Sequence, residues 1–199
     1  MDSRSWLLQE ELCFMDVLSL PHKSIIVGDV FASRTPAMIS TVLGSCVAAC
    51  LIDLESGIGG MNHFMLPEAN RETTSAAFGV HAMELLINKI MNLGGDRRRL
   101  QAKVFGGGNV LSLHGAQLQV GQRNAEFVLQ FLQDEGIPLL AKRLGGNTGV
   151  KLCFQTDTGK ALVKPLPNRV IDETLRTEVQ YLRQVKQRTR PVEQAVTLF

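Results

Sequence analysis

The apolar positions of this chain change period several times, and the changes mark its elements. Between residues 23 and 52 they come in short β-rich runs, Ile25-Ile26-Val27, Met38-Ile39 and the stretch up to Leu51-Ile52, broken by Gly28, Pro36 and Gly44. The polar stretch 53–57 reads as a turn, and a further apolar run over 58–66 closes at Pro67, so these two runs predict a hairpin. Over 73–93 the period lengthens: Val80, Met83, Ile87 and Ile90 recur at helical steps, Thr73, Thr74 or Ser75 can cap the start, and Gly94-Gly95 stops the helix.

A buried strand is expected at 101–105, running into Gly106-Gly107-Gly108. A second helix follows at about 122–135, with Ala125, Val128, Leu129 and Leu132 on its apolar face and Gly136 and Pro138 ending it. Strand patterns return at 138–141, 150–156 and 160–163, the last two joined by the turn Asp157-Thr158-Gly159. A final helix is expected over about 171–190. Ile171, Leu175, Val179, Leu182 and Val185 line one side, Asp172 and Glu173 lie at the positive end of its dipole, and Lys186, Arg188 and Arg190 lie at the negative end.

Strands and helices thus interleave irregularly, which predicts an α/β or α+β layered sandwich, a mixed or antiparallel sheet core with helices packed outside. The expected organisation is an N-terminal extension over 1–22, a body over 23–167 and a C-terminal helical extension over 168–199 packed on that body.

With 199 residues, 45% of them hydrophobic, the chain has enough apolar material to close one core. The net charge of +2 is small and the basic residues are dispersed, so no nucleic-acid surface is indicated, and the run Arg97-Arg98-Arg99 reads as a solvated turn. No stretch approaches the roughly 18–20 apolar residues of a spanning helix. The first twenty residues mix Asp2, Glu10, Glu11 and Asp16 with apolar positions, unlike a signal peptide, and a cytoplasmic protein with reduced thiols is expected.

The segment carrying the most chemistry is Leu43-Gly44-Ser45-Cys46. A cysteine that ends a Gly-Ser turn can meet a substrate with little side chain in the way, and the turn can aim N–H groups at a developing oxyanion. The nucleophile must be a thiolate, which requires a base, and His63, beyond the hairpin and after Gly59-Gly60-Met61-Asn62, is the candidate. Gly44, Ser45 and Asn62 are the expected substrate-binding positions.

Cys13, Cys50 and Cys153 read as core thiols. On one strand Cys46 and Cys50 would lie about 13 Å apart, too far for a disulfide, so neither a bridge nor a zinc site with His63 is expected. His81 reads as a surface histidine, and His22 and His114 have no partner that the sequence reveals. Gly106-Gly107-Gly108-Asn109 and Gly145-Gly146-Asn147-Thr148-Gly149 lack the Lys-Ser/Thr ending of a phosphate loop and read as positive-φ turns or close backbone approaches lining a cleft.

Taken together, LGSCVAACLID at 43–53 and GGMNHFMLP at 59–67 resemble the chemoreceptor glutamine deamidase family, CheD, of bacterial chemotaxis. The resemblance extends through KVFGGGN at 103–109, GQRN at 121–124, LGGN at 144–147 and the Thr158-Gly159-Lys160 turn, spanning about 24–165. It implies a layered fold of cysteine-hydrolase type and hydrolysis of glutamine side chains on methyl-accepting chemoreceptors, with glutamyl methyl esters as possible further substrates. Cys46 falls on the family's nucleophile and His63 on its histidine. The third member, a hydroxyl that orients the histidine, falls by ungapped spacing on Ser40, with Thr41 as the alternative; strand alternation sends the two to opposite faces, so only one can serve.

No metal or organic cofactor is implied. The expected site is an open groove, since the substrate glutamines lie on long helical bundles. A CheC-type phosphatase is an implied partner, and a non-catalytic adaptor that binds receptors or such a phosphatase is the alternative. A redox protein using Cys46 and Cys50 ranks last, since three intervening residues do not make a thioredoxin-type pair.

Overall fold

The computed structural model describes residues 20–66, 72–109 and 118–166, together with 176, 180 and 181. Nine strands and two long helices occur among them. They are β1 (His22–Ser24), β2 (Val30–Ser33), β3 (Met38–Leu43), β4 (Val47–Asp53), β5 (Ile58–Asn62), α1 (Glu72–Asn92), a 3-10 turn (Arg97–Arg99), β6 (Gln101–Gly106), α2 (Leu118–Asp134), β7 (Leu139–Leu144), β8 (Val150–Gln155) and β9 (Ala161–Pro165).

The strands form two sheets, one ordered β1-β3-β8-β9 and the other β2-β5-β4-β6-β7. Both are mixed: β1–β3 and β6–β7 are parallel and the remaining pairs antiparallel. The expected α+β sandwich is therefore the architecture observed, and 53–57 does turn a hairpin between β4 and β5.

β4 explains the layering. Its sequence is apolar at nearly every position, Val-Ala-Ala-Cys-Leu-Ile, and every one of its residues is buried. Side chains alternate across a strand, so both of its faces need apolar cover. Val47, Ala49 and Leu51 pack with Met83, Leu86, Ile87 and Ile90 of α1 and Val128, Phe131 and Leu132 of α2. Cys46, Ala48, Cys50 and Ile52 join Ile39, Leu43, Val150, Leu152 and Phe154 of the facing sheet. The order of layers is helices, five-stranded sheet, four-stranded sheet, with one apolar core in each gap.

α1 presents Leu86 to the core rather than Val80, which is 42% exposed. α2 begins four residues ahead of the expected 122, because Gly121 is not a breaker. A Cβ there would lie 2.6 Å from the Gly107 carbonyl oxygen, so glycine is what lets the first turn of α2 approach the triple-glycine loop. β7 runs on through Lys142 and Arg143 to Leu144; it is an edge strand, where charged side chains stay in water.

The arginine run is more than a solvated turn. Arg99 reaches the fully buried Asp53 at 2.7 Å, and Arg97 bonds both Glu84 and Glu135, while Arg98 stays exposed. The Arg99 guanidinium, with the Asp96 N–H, holds the Asp53 carboxyl well below the usual carboxylate range. This pair joins the β4–β5 hairpin to the start of β6, a tertiary arrangement that a run of like charges does not reveal.

The expected N-terminal extension, apart from its last few residues, lies outside the described residues. So do the side chains of Cys13, His114 and the cap candidates 73–75, and most of the expected C-terminal helix. Residues 176, 180 and 181 are helical, and Tyr181 packs against the inter-sheet core.

Gly60 sits where β5 is sandwiched between β2 and α1, and a Cβ there would lie 2.7 Å from the Ala32 Cβ and the Phe31 oxygen and 2.8 Å from Leu86 Cδ1. Gly60→Ala should therefore overpack the core and lose roughly 1–3 kcal/mol of stability, read as a lowered urea midpoint at unchanged m-value.

Candidate active site

Cys46 and His63 are brought together by one bridge of backbone. Val47 and Phe64 exchange both main-chain hydrogen bonds, Val47 N to Phe64 O at 3.0 Å and Phe64 N to Val47 O at 2.9 Å. Cys46 and His63 each precede one of these residues on antiparallel segments, so they are diagonal neighbours on the same sheet face, with backbones roughly 7–8 Å apart. That face is the one turned toward the four-stranded sheet. Cys46 is 0% and His63 3% exposed, so the site is closed rather than the open groove expected for a helical-bundle substrate.

The turn that carries the thiol is held peptide by peptide. The Gly44 carbonyl accepts from Gly108 N–H at 2.8 Å, the Ser45 carbonyl from Asn124 Nδ2 at 2.9 Å and the Cys46 carbonyl from Gly107 N–H at 2.7 Å. The triple-glycine loop can do this because Gly106 and Gly107 have φ of 104° and 63°, and a Cβ at Gly106 would lie 2.2 Å from the Cys46 oxygen. These glycines hold protein backbone, as expected of positive-φ turns.

His63 is gripped from the other sheet. Its Nδ1 lies 2.8 Å from the Thr41 hydroxyl oxygen, which in turn lies 2.8 Å from the Ile25 carbonyl oxygen. A carbonyl can only accept, so the single hydroxyl proton of Thr41 points at Ile25 and its oxygen must accept from Nδ1–H. This assigns the tautomer: Nδ1 carries the proton and Nε2 the lone pair. Nε2 is buried and has no hydrogen-bond partner among the described residues. Burial pushes the imidazole pKa down to about 3, so the ring is neutral at ordinary pH. His63 N–H and C=O bond to Asp29 O and Gly28 N, which fixes the backbone beneath the ring.

The hydroxyl that meets the histidine is thus that of Thr41, and the spacing-based preference for Ser40 is overturned. Ile39 and Leu43 belong to the inter-sheet core, and alternation places Thr41 on their face and Ser40 on the opposite one. The sequence left this choice open, because Met38 and Val42 flank Ser40 at two-residue steps as Ile39 and Leu43 flank Thr41; which face meets the other sheet was decided by packing.

Asn62 is likewise not directed at a substrate. Its Oδ1 accepts from Ala49 N at 3.0 Å and its Nδ2 donates to the Ala82 carbonyl at 3.0 Å, on the helix side of β5. Gly44 and Ser45 do sit beside the thiol. Cys50 shares the Cys46 face and is buried, its thiol pushed far up by burial, and Cys153 on β8 is raised in the same direction for the same reason. Cys46, Cys50 and Cys153 are in no disulfide. His22 and His81 are exposed. Asn124, overlooked in the sequence as a candidate, is the further residue drawn into the site.

Two packed sheets with helices on one side, and a buried thiol sharing the inter-sheet face with a neutral, tautomer-fixed imidazole, define a layered α+β protein. The family model for CheD chemotactic sensory transduction matches residues 65–165, beginning just beyond His63. A probable chemoreceptor glutamine deamidase of Dechloromonas aromatica is 49% identical over 78% of this chain and 78% of its own length. Proteins of the same description from Rhizobium leguminosarum and Laribacter hongkongensis are 43% and 40% identical, over 88% and 90% of this chain and 94% and 88% of theirs. The chain belongs to the CheD family. Solved structures match only slightly, a Bacillus licheniformis hypothetical protein, YfiH, giving a TM-score of 0.40 at 15% identity over 58% of this chain and 50% of that one.

The tautomer and the low pKa can be read directly. In nitrogen-detected NMR, His63 should show a protonated Nδ1 and an unprotonated Nε2 and should stay neutral down to about pH 3. Because the unfolded chain binds this proton near pH 6.5 and the folded one does not, His63's contribution to stability is intact above that value. It should fall steadily as the pH drops from there toward 3, and an acid-stability slope unchanged in His63→Gln would contradict the assignment.

Proposed function

We propose that this chain deamidates glutamine side chains of chemoreceptors in the cytoplasm, with Cys46 as nucleophile, His63 as general base and acid and Thr41 as the group that orients the imidazole. One observation carries the catalytic part of this reading: the Thr41 hydroxyl fixes the proton on His63 Nδ1 and leaves a bare, buried Nε2 on the face that Cys46 shares. The receptor as substrate comes from the names of the relatives, which are probable chemoreceptor glutamine deamidases.

The chemistry is acyl transfer in two halves. As the Cys46 sulfur attacks the glutamine amide carbon, its proton passes to His63 Nε2; collapse of the tetrahedral species breaks the C–N bond, and the same nitrogen returns the proton to the departing ammonia. Water then attacks the glutamyl thioester, giving its proton to Nε2, and expulsion of sulfur yields glutamate and regenerates the thiol. A glutamyl methyl ester would enter through the same thioester with methanol leaving. No step calls on a metal or an organic cofactor.

A neutral imidazole suits a buried site: charge appears on the ring only as it takes the thiol proton, and Thr41 steadies the imidazolium through Nδ1–H as it forms. The 0% exposure of Cys46 means that substrate entry must uncover the thiol. That burial is also the one observation favouring a second reading, an adaptor that binds receptors or a CheC-type phosphatase without turning over.

Mass spectrometry of a chemoreceptor cytoplasmic fragment separates the two readings. Wild-type protein should add about one dalton at discrete glutamines, the NH₂-to-OH exchange of the thioester route, and Cys46→Ala should add none. Thr41→Val should lower kcat by roughly 10- to 1,000-fold and Thr41→Ser much less, since only the former loses the hydroxyl that holds the tautomer. Intact binding with no mass gain across several receptors would favour the adaptor.

A further inference from the structure

We infer that Asn124 is a positioning residue for the Cys46 thiol, an inference that rests on the deamidase reading and adds a residue to it. Asn124 lies in the second turn of α2, is fully buried, and reaches two segments that are remote in sequence. Its Oδ1 accepts from Leu66 N–H at 2.8 Å and its Nδ2 donates to the Ser45 carbonyl at 2.9 Å. One amide therefore ties the turn that carries the nucleophile to the segment that runs on from the base.

The peptide it grips is the one that matters for aim. The Ser45 carbonyl and the Cys46 nitrogen belong to one rigid plane, so fixing that carbonyl fixes the direction from which the Cys46 side chain departs. The peptides on either side are held through Gly44 O and Cys46 O by main-chain N–H groups of Gly108 and Gly107. The central carbonyl of the three is held by the Asn124 side chain, a bond that a substitution can remove. Full burial of an asparagine is uncommon, and this one is accommodated because the two bonds satisfy its oxygen and one of its N–H groups. Packing alone would be served as well by an apolar side chain of similar volume.

Asn124→Asp separates aim from stability. The carboxylate has nearly the same shape and still accepts from Leu66 N–H, but it offers no N–H to Ser45 and sets oxygen against oxygen there. The variant and wild type are compared in the full chain by melting temperature, by kcat and KM for receptor-fragment deamidation, and by iodoacetamide alkylation rates mapped separately to Cys46, Cys50 and Cys153. The expected result is a folded variant with kcat down roughly 10- to 100-fold and KM within about twofold. The alkylation rate of Cys46 changes while those of Cys50 and Cys153 stay at wild-type values.

Equal kcat and equal Cys46 alkylation in a folded variant would overturn the inference, as would a rise in the alkylation of all three thiols together, which marks general loosening. Should Asn124→Asp not fold, Asn124→Ala is read by the same criteria; failure of both to fold assigns the amide to the fold alone and also overturns it. A wild type that yields no mass gain refutes the deamidase reading, and a change confined to Cys46 alkylation would still uphold the positioning role.

Discussion

A hydroxyl group has one proton to give, and in Thr41 that proton goes to the Ile25 carbonyl. Everything at the site follows from this constraint. The Thr41 oxygen is left as an acceptor, so His63 must offer Nδ1–H, and the opposite nitrogen is a buried lone pair. The contact also crosses the gap between the two sheets. Thr41 belongs to the four-stranded sheet and His63 continues from a strand of the five-stranded one, so the proton arrangement holds only while the sheets stay in register.

That register is secured by apolar packing on both faces of β4. Ala48, Cys50 and Ile52 meet the facing sheet while Val47, Ala49 and Leu51 meet the helices. A strand buried on both sides cannot slip by one residue without turning each side chain to the wrong core, so the position of Cys46 at its entrance is as firmly set as the core itself. The ladder between β4 and β5 opens beyond Cys50–Met61 and closes again at Val47–Phe64, with the Asn62 amide supplying the acceptor for Ala49 N–H in the gap. His63's main chain points the other way, bonding Gly28 and Asp29 on the β2 side, and alternation along the strand sets its ring on the face that Thr41 reaches.

Membership of the CheD family and the geometry bear on different parts of the functional reading. The relatives' names supply the class of substrate, a glutamine on a chemoreceptor. The proposed roles of Thr41, His63 and Cys46 add a way for a neutral imidazole to deprotonate a thiol on the same buried face. Their nearly complete burial adds a requirement to the proposed mechanism that neither source expresses alone: the thiol must be uncovered before a glutamine side chain can meet it.

Much of the fold was legible from local pattern, because periodicity is a local property. The six-residue apolar run of β4, the helical spacing of Met83, Ile87 and Ile90, and the Gly-Ser-Cys turn followed by Asn-His-Phe determined the elements, the layered class and the candidate thiol and imidazole. Pairings between distant segments were decided by the tertiary structure. Spacing counted back to Ser40, whereas the face shared with Ile39 and Leu43 placed Thr41 against the ring. Asn62 read as a substrate contact but turns to α1, Arg99 read as a solvated charge but meets buried Asp53, and Asn124 was passed over in a helix whose remote contacts no local pattern records. A sequence fixes which groups exist and which face of their own element they occupy; only packing decides which faces meet, and the proton on His63 is settled by that meeting.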